Sequence, residues 1–505
     1  MFELNVLLLF LLTAPDVFAA PTQVPMDVAM ARPRKLQGRF LHITDIHPDP
    51  YYKEDRSEKS ACHRKKPKKA TPRSGYYGMP FSECDSPFTL TNYTLNFLEN
   101  EWAPNIDFVV WTGDSARHDN DRKNPRTTDE IYMLNRVLAR KMEDVFLSKG
   151  IPVIPTIGNN DIWLHTYIFR CVWEQLTNKN QNIMLPGPNS VTSEFSSIWR
   201  SFVPFESYQV FQRGGYFSVE VIPNSVAVIS LNTMYLYDSN KDLALRYQDT
   251  ILGHLYGHMN VDHFFFIDGE HIRRHPKQKS PLDISDEPQA QARKGLYKTL
   301  LKDFEDIPRA SHNTSYDNYG VVNVSPSVVP NPYLPSFRIF TYNISGSPYT
   351  PAAPHSEPST CSQDNSDYSW KRHLSKPWHS NPDSPSRTNK LWSPLGYAQY
   401  YLPGLASSSQ KRPPKFKLEY LTFAVSQLHP SGGEGAEGFT YPVPLRHLPR
   451  SLRNATVTAS KFAPYGLADL TIPSWADLAR RLAEGEDKQL RKRFRRYMYM
   501  GADEA

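Results

Sequence analysis

The sequence predicts an α/β fold that opens on a largely parallel sheet. Three observations predict it. Short apolar runs end in Gly- or Asp-containing clusters, helical patterns separate the runs, and each cluster falls at the carboxyl end of its run, where such sheets gather ligand groups.

Residues 39–44 read as the first strand, ending at Asp45. A helical pattern covers about 90–102, and 106–111 is the second strand, ending at Gly113-Asp114. A second helical pattern runs over 127–147, and 151–157 is the third strand, ending at Gly158-Asn159-Asn160-Asp161. Residues 215–221 and 226–231 read as a hairpin. Residues 250–256 lead into Gly257-His258-Met259-Asn260, and 261–267 is another apolar run. The chain is charged and Pro-containing from His271, with a plausible helix within 285–304. Residues 351–414 are rich in Pro, Ser and Asn with little periodicity, and are expected to be exposed and partly disordered. A strand is expected at 416–421 and one helix at 475–497, the latter ending in the basic run 491–496.

Composition narrows the class. The chain has 505 residues, enough for roughly three domains. Its net charge of +6 is too small to argue for nucleic acid, and 39% hydrophobic content excludes a polytopic membrane protein. With 43 Pro against 24 Gly it is neither collagen nor a Gly-rich linker, and four Cys exclude a disulfide-dense scaffold. Residues 6–14 form an uncharged apolar run broken by Pro15 and Asp16, so 1–20 reads as a signal peptide, with an uncleaved signal anchor as the rival. Sequons at Asn92, Asn313, Asn323, Asn343 and Asn454 agree with secretory entry. In that compartment cysteines can pair; Cys62 with Cys84 is the first choice, and the pairing of Cys171 and Cys361 stays open.

The chemistry lies in Asp45-x-His47, Gly113-Asp114, Gly158-Asn159 and Gly257-His258. Each places a metal-binding residue type just after or beside a strand. Carboxylate, imidazole and amide oxygen together suit hard or borderline divalent ions, and one carboxylate can bridge two of them.

These four elements in this order resemble the calcineurin-like metallophosphoesterases. The spacing from Gly113-Asp114 to His118 is similar to the acid sphingomyelinase-like branch. Gly158-Asn159-Asn160-Asp161, the block 256–264 and the block 463–470 resemble those of the fungal vacuolar endopolyphosphatases. The resemblance covers most of the chain from about residue 36. It implies a mixed β-sheet sandwich flanked by helices, a phosphoesterase domain over 36–350, the irregular insert 351–414 and a C-terminal extension over 415–505. It also implies metal-assisted hydrolysis of inorganic polyphosphate by two divalent ions (Zn, Mn, Mg, Co or Fe), in the vacuole, with the N-terminal segment at the vacuolar membrane.

By the same resemblance Asp45 and His47 hold the first metal, Asp114 bridges, and Asn159 and His258 hold the second. Asn260 falls where many relatives place a metal-binding His. His118 is the acid near the leaving oxygen, and Asn160 replaces a His beside the metal ligand. A further family block carrying a metal-binding His has no counterpart at 238–252; His254 is the nearby imidazole, more readily read as a strand residue. The run His63, Arg64, Lys65, Lys66, Lys68 and Lys69 reads as a track for a polyanion or as a solvated loop. Two rivals stay open: a sphingomyelinase-like phosphodiesterase, and a metal-depleted polyanion-binding protein.

Overall fold

A computed structural model of the chain describes residues 35–68, 71–162, 187–232, 251–269, 295–308, 316, 318–349, 381–430 and 439–502. Contacts separate residues 1–36 from 37–505, and every strand and helix named below belongs to the second unit. The N-terminal apolar run, Lys69, His165, Cys171, residues 238–250, Asn313 and Cys361 lie outside the described residues. Among the described residues no helix is long and apolar enough to cross a membrane.

In chain order the elements are β1 (Arg39–Ile43), β2 (Pro48–Asp49), β3 (Ser86–Pro87), α1 (Phe88–Phe97), β4 (Phe108–Trp111), α2 (Thr128–Val145), β5 (Val153–Pro155), α3 (Ser190–Ile198), α4 (Tyr208–Gly214), β6 (Phe217–Ile222), β7 (Val226–Ser230), β8 (His254–Tyr256), β9 (His263–Asp268), α5 (Leu296–Glu305), β10 (Tyr319–Val324), β11 (Ser336–Tyr342), β12 (Pro394–Tyr401), β13 (Lys417–Leu421), α6 (Ile472–Glu484) and α7 (Lys488–Met498).

The main sheet has six strands in the order β13-β12-β11-β1-β4-β5. β1, β4 and β5 run parallel, as the alternating strands and helices predict. β11, β12 and β13 join antiparallel, so the sheet is mixed. Phe40 fixes the junction: its ring stacks on Phe108 of β4 at 4.7 Å and on Phe340 of β11 at 4.9 Å. A smaller sheet, β8-β10-β9, and the hairpin β6-β7 complete the strands of any length. One core joins Phe264 and Val321 of the smaller sheet to Phe340, Tyr397 and Tyr420 of the larger, and to Trp475 and Phe494 of the C-terminal helices.

Two helices show their signals plainly. α2 starts where the Thr127 side chain accepts from the Glu130 N–H, and it buries Ile131, Leu134, Leu138 and Met142 along one stripe. The single helix expected at 475–497 is two. Gly485, at φ +70°, ends α6 in the left-handed region, and Asp487 caps α7 by accepting from Gln489 and Leu490. The expectation for 351–414 also needs correction. β12 lies inside that span as a strand of the main sheet, and it carries no polar–apolar alternation because Tyr397, Ala398, Gln399 and Tyr400 are all buried.

The sequons separate by burial. Asn92 and Asn454 are exposed, whereas the Asn343 amide nitrogen donates to Asn389 at 2.8 Å. Asn323 cannot carry a glycan in this fold: it is buried in β10, between β8 and β9.

A buried polar network ties the segment ahead of β9 to the main sheet. Asp262 accepts from Arg338 of β11, from Gln399 of β12 at 2.9 Å and from Tyr420 of β13 at 2.7 Å. Gln399 also donates to Glu419 at 2.9 Å. Burial outweighs that hydrogen bond and pushes the Glu419 carboxyl up to about 8. A raised folded-state value means that the native state keeps a proton the unfolded state has lost. The resulting stability is full below the ordinary Glu range and is lost as pH rises through about 8. Thermal melts between pH 6 and 9 should therefore show wild type losing stability, while Glu419→Gln, which cannot ionise, keeps a flatter profile. Parallel profiles would contradict this account.

Candidate metal centre

Asp45, His47 and Asp114 are buried at the carboxyl ends of β1 and β4, each with a ligand atom within 4.8 Å of the others. His47 Nε2 lies 3.6 Å from Asp45 Oδ1 and 3.7 Å from Asp114 Oδ2. The other ring nitrogen, Nδ1, sits 2.7 Å from the Ala116 carbonyl. A carbonyl only accepts, so Nδ1 carries the hydrogen and Nε2 turns toward the carboxylates. There Nε2 is buried without a hydrogen-bond partner. Burial alone would lower the His47 pKa, but Asp45, Asp114 and Asp85 raise it to about 9. The spot therefore attracts positive charge, and its donor set of one imidazole and two carboxylates fits a divalent ion.

The backbone is bent to make this cluster. Thirteen described non-glycine residues have positive φ, and five of them are Asp45, His47, Asp114, His258 and Asn260. Such conformations are costly for L-residues, so their concentration in the expected ligands marks a functional constraint. Close approach explains the glycine before Asp114, Asn159 and His258. A Cβ on Gly113, itself at φ +85°, would lie 2.6 Å from Gly158 N and 2.7 Å from Thr156 O. A Cβ on Gly158 would overlap the Asp114 carboxylate, and one on Gly257 would overlap Thr44 and Asp45.

The expected second set is arranged less compactly. Asn159 begins a single 3₁₀ turn, Asn159–Asp161, and is half-buried. The His258 ring is exposed; it is the backbone N–H that reaches Asp45, at 2.9 and 3.1 Å. Asn260 is buried, its amide nitrogen donates to the Asn331 carbonyl at 2.8 Å, and its Oδ1 has no partner. His254 stands opposite Val322 in the smaller sheet, where burial lowers its pKa to about 4.

Asn160 holds Asp114, through its N–H at 2.8 Å and its side-chain amide at 3.3 Å. Beside it lies Asp161, to which sequence reasoning assigned no role. The Asp161 carboxylate accepts from the N–H groups of Asp114, Ser115, Ala116 and Gly158 and from the Asn135 amide, over 2.6–3.1 Å. It clamps the β4 and β5 loops together. Burial and the Asp114 charge raise its pKa to about 6 despite these donors. The acid closing the Gly158–Asp161 block was the available signal.

His118 stacks on His47 with ring centroids 4.0 Å apart. Asp85, also missed, accepts from the His118 backbone N–H and from Nδ1, both at 2.7 Å. His118 Nε2 is left buried and unpartnered. Asp85 follows Cys84, and Cys84 is bonded to Cys62.

This packing corrects the basic track. His63 is buried between Asp49, at 2.6 Å, and Asp121, at 2.7 Å, and Arg64 grips the same Asp121 with both terminal nitrogens. His63 is thereby removed from the surface, and the Arg64 charge is paired with a buried carboxylate. Lys65, Lys66 and Lys68 are exposed. Replacing His63 with Ala should leave two buried carboxylates without their shared partner. The expected cost in urea denaturation is about 3–5 kcal/mol, whereas Lys66→Ala should stay within about 0.5 kcal/mol. Equal small effects would return His63 to the surface track.

The family model for calcineurin-like phosphoesterases matches residues 38–284, the span holding Asp45, His47, Asp114, Asn159 and His258. The endopolyphosphatase of Cryptococcus neoformans is 34% identical, over 94% of this chain and 93% of its own length. That of Schizosaccharomyces pombe is 27% identical over 90% of this chain and 85% of its own. That of Saccharomyces cerevisiae is 36% identical over 49% of this chain and 44% of its own. The Cryptococcus alignment spans 659 positions against 505 residues here, so that relative holds segments without a counterpart in this chain. The metal-binding loops and a 34% identity sustained over nearly the whole length place the chain in the endopolyphosphatase family of calcineurin-like phosphoesterases.

Proposed function

We propose that this chain is a metal-dependent endopolyphosphatase that cuts internal phosphoanhydride bonds of inorganic polyphosphate. The observation that carries the chemistry is the buried, unpartnered Nε2 of His47 between Asp45 and Asp114. The named relatives supply the substrate class. Two divalent ions would take Asp45, His47 and Asp114 on one side and Asp114, Asn159 and His258 on the other, with the Asn260 amide oxygen nearby. When bound, they supply an activated water and offset charge on the phosphoryl oxygens.

The protein's own groups divide the rest. Asn160 and Asp161 fix Asp114. Asp85 holds the Nδ1–H of His118, so that Nε2 can deliver a proton to the leaving oxygen. A leaving phosphate needs that proton less than an alkoxide does. The exposed Lys65, Lys66 and Lys68 would draw in the polyanion. The Cys62–Cys84 disulfide, the apolar run 6–14 and the exposed sequons Asn92 and Asn454 support a lumenal vacuolar location, with the N-terminal segment cleaved or kept as a membrane anchor.

A second reading has its own support. The relative's extra segments, together with the missing block expected near 238–252, favour a chain that binds polyanions but holds an incomplete second metal site. Elemental analysis decides: on the second reading this chain binds fewer than two metals per molecule and turns over slowly. Full two-metal occupancy with fast turnover would remove the second reading.

Chain-length analysis of long polyphosphate digested with a divalent metal should show mid-length fragments early, and chelation should abolish cutting. Release of orthophosphate alone would refute the internal-cleavage reading. Asp114→Asn should cost at least about 100-fold, beyond what loss of a supporting group usually costs. Asp85→Asn is milder, about 10–100-fold in kcat on a poor-leaving-group phosphoester with KM unchanged, and less on polyphosphate. The same loss on both substrates would mean that Asp85 does not act through proton delivery.

A further inference from the structure

The basic helix α7 is the strongest charged feature outside the metal centre. Six of its eleven residues are Lys or Arg and none is acidic, against a net charge of +6 for the whole chain. Leu490, Phe494, Tyr497 and Met498 are buried along one face, and Phe494 packs on Phe264 of β9. That packing fixes the rotation of the helix. Arg491 turns back to the carbonyls of Leu482 and Ala483, and Arg495 lies over the Tyr297 ring. Lys488, Lys492, Arg493 and Arg496 make no ion pair and donate no side-chain hydrogen bond among the described residues. Lys488, Lys492 and Arg496 recur every fourth residue, so they form one ridge with a cation about every 6 Å.

The helix does not need this ridge for itself. Like charges four apart repel, and cations near a helix N-terminus oppose its dipole. Asp487, as the cap, already serves that end.

We infer that the outer face of α7 is a second binding site for the long anionic chain, outside the metal centre; this rests on the polyphosphate reading. The face suits a bare polyanion. Every exposed residue on it is polar, so it lacks the outward apolar side with which an amphipathic helix enters a lipid surface. It also offers no exposed aromatic ring on which a nucleic-acid base could stack. The Arg496 end is tied toward the metal centre: Tyr499 packs on Tyr333 at 5.6 Å, and nearby Asn331 accepts from Asn260. A chain held on α7 would raise the effective concentration of its own segments at the metal centre, which favours long substrates over short ones.

The test uses the full chain stripped of metal, so that binding is read without cutting. Long polyphosphate and tripolyphosphate are titrated over a salt series, against wild type, Lys488→Gln/Lys492→Gln/Arg493→Gln/Arg496→Gln, and the charge-preserving Lys488→Arg/Lys492→Arg/Arg493→Lys/Arg496→Lys. The neutral variant should bind the long chain at least about tenfold more weakly, with the salt slope reduced by about 0.7 per charge removed. Tripolyphosphate binding should not change, and the charge-preserving variant should match wild type. Unchanged long-chain affinity and slope in the neutral variant would overturn the inference. So would a neutral variant whose only loss is in sedimentation with phosphatidylserine vesicles, or equal losses in both variants. Turnover is measured separately on metal-loaded wild type. Binding without cutting would sink the enzyme reading and leave this site, whereas cutting with long-chain binding unaffected by the variant would do the reverse.

Discussion

The structure depends on one electrostatic constraint: two carboxylates and an imidazole are buried together, with ligand atoms within 4.8 Å. Burying like charges is costly unless hydrogen bonds or a cation compensate. Every neighbouring loop contributes. Asp45 accepts from the Thr44 hydroxyl at 2.5 Å and from the His258 N–H, Asp114 accepts from Asn160, and His47 leans on the Ala116 carbonyl. The left-handed backbone at Asp45, His47 and Asp114 is a cost of the same arrangement. Loops can be held in such conformations because they are stitched together, Asp45 N–H to the Gly113 carbonyl and Ile46 N–H to the Asp114 carbonyl, both at 3.1 Å.

A further ring of carboxylates then shapes the field. Asp85 and Asp161 hold their loops by accepting from backbone N–H groups, and Asp85 lies close enough to Asp49 to raise its cost of ionisation. These buried carboxylates disfavour a nearby anion. Divalent ions at the centre would reverse the sign locally. Exposed cations outside the acidic shell are then the natural means of first contact.

Much of this was legible in the sequence. Strands β1, β4 and β5 could be read because short apolar runs end in Asp- or Gly-containing clusters, and after β4 and β5 the cluster opens on a glycine whose Cβ would collide with a neighbouring loop. The supporting acids were not legible in the same way. Asp85 and Asp161 act on backbone N–H groups, which every residue but proline has, so no residue pattern points to their targets. His63 and Arg64 looked like part of a basic run because their partner Asp121 lies 58 and 57 positions away. β12 escaped detection because burial on both faces removes alternation, whereas the break between α6 and α7 was written in Gly485 and Asp487.

His118 shows how these ties combine. Its ring lies against His47 with Nε2 buried and unpartnered, and a side chain held only by stacking could turn away. Asp85 prevents this with two hydrogen bonds, one to the ring and one to the backbone. Asp85 in turn sits beside Cys84, whose bond to Cys62 closes a segment with a sequence separation of 22. A loop of that size gains about 3 kcal/mol from closure in the chain-entropy picture. The other end of the bridge is held by the buried His63, through Asp49 and Asp121. A covalent bond, a buried ionic cluster and a directed hydrogen bond thus act in series on one imidazole. Such over-determination fits a group that must keep one orientation in a loop-built site.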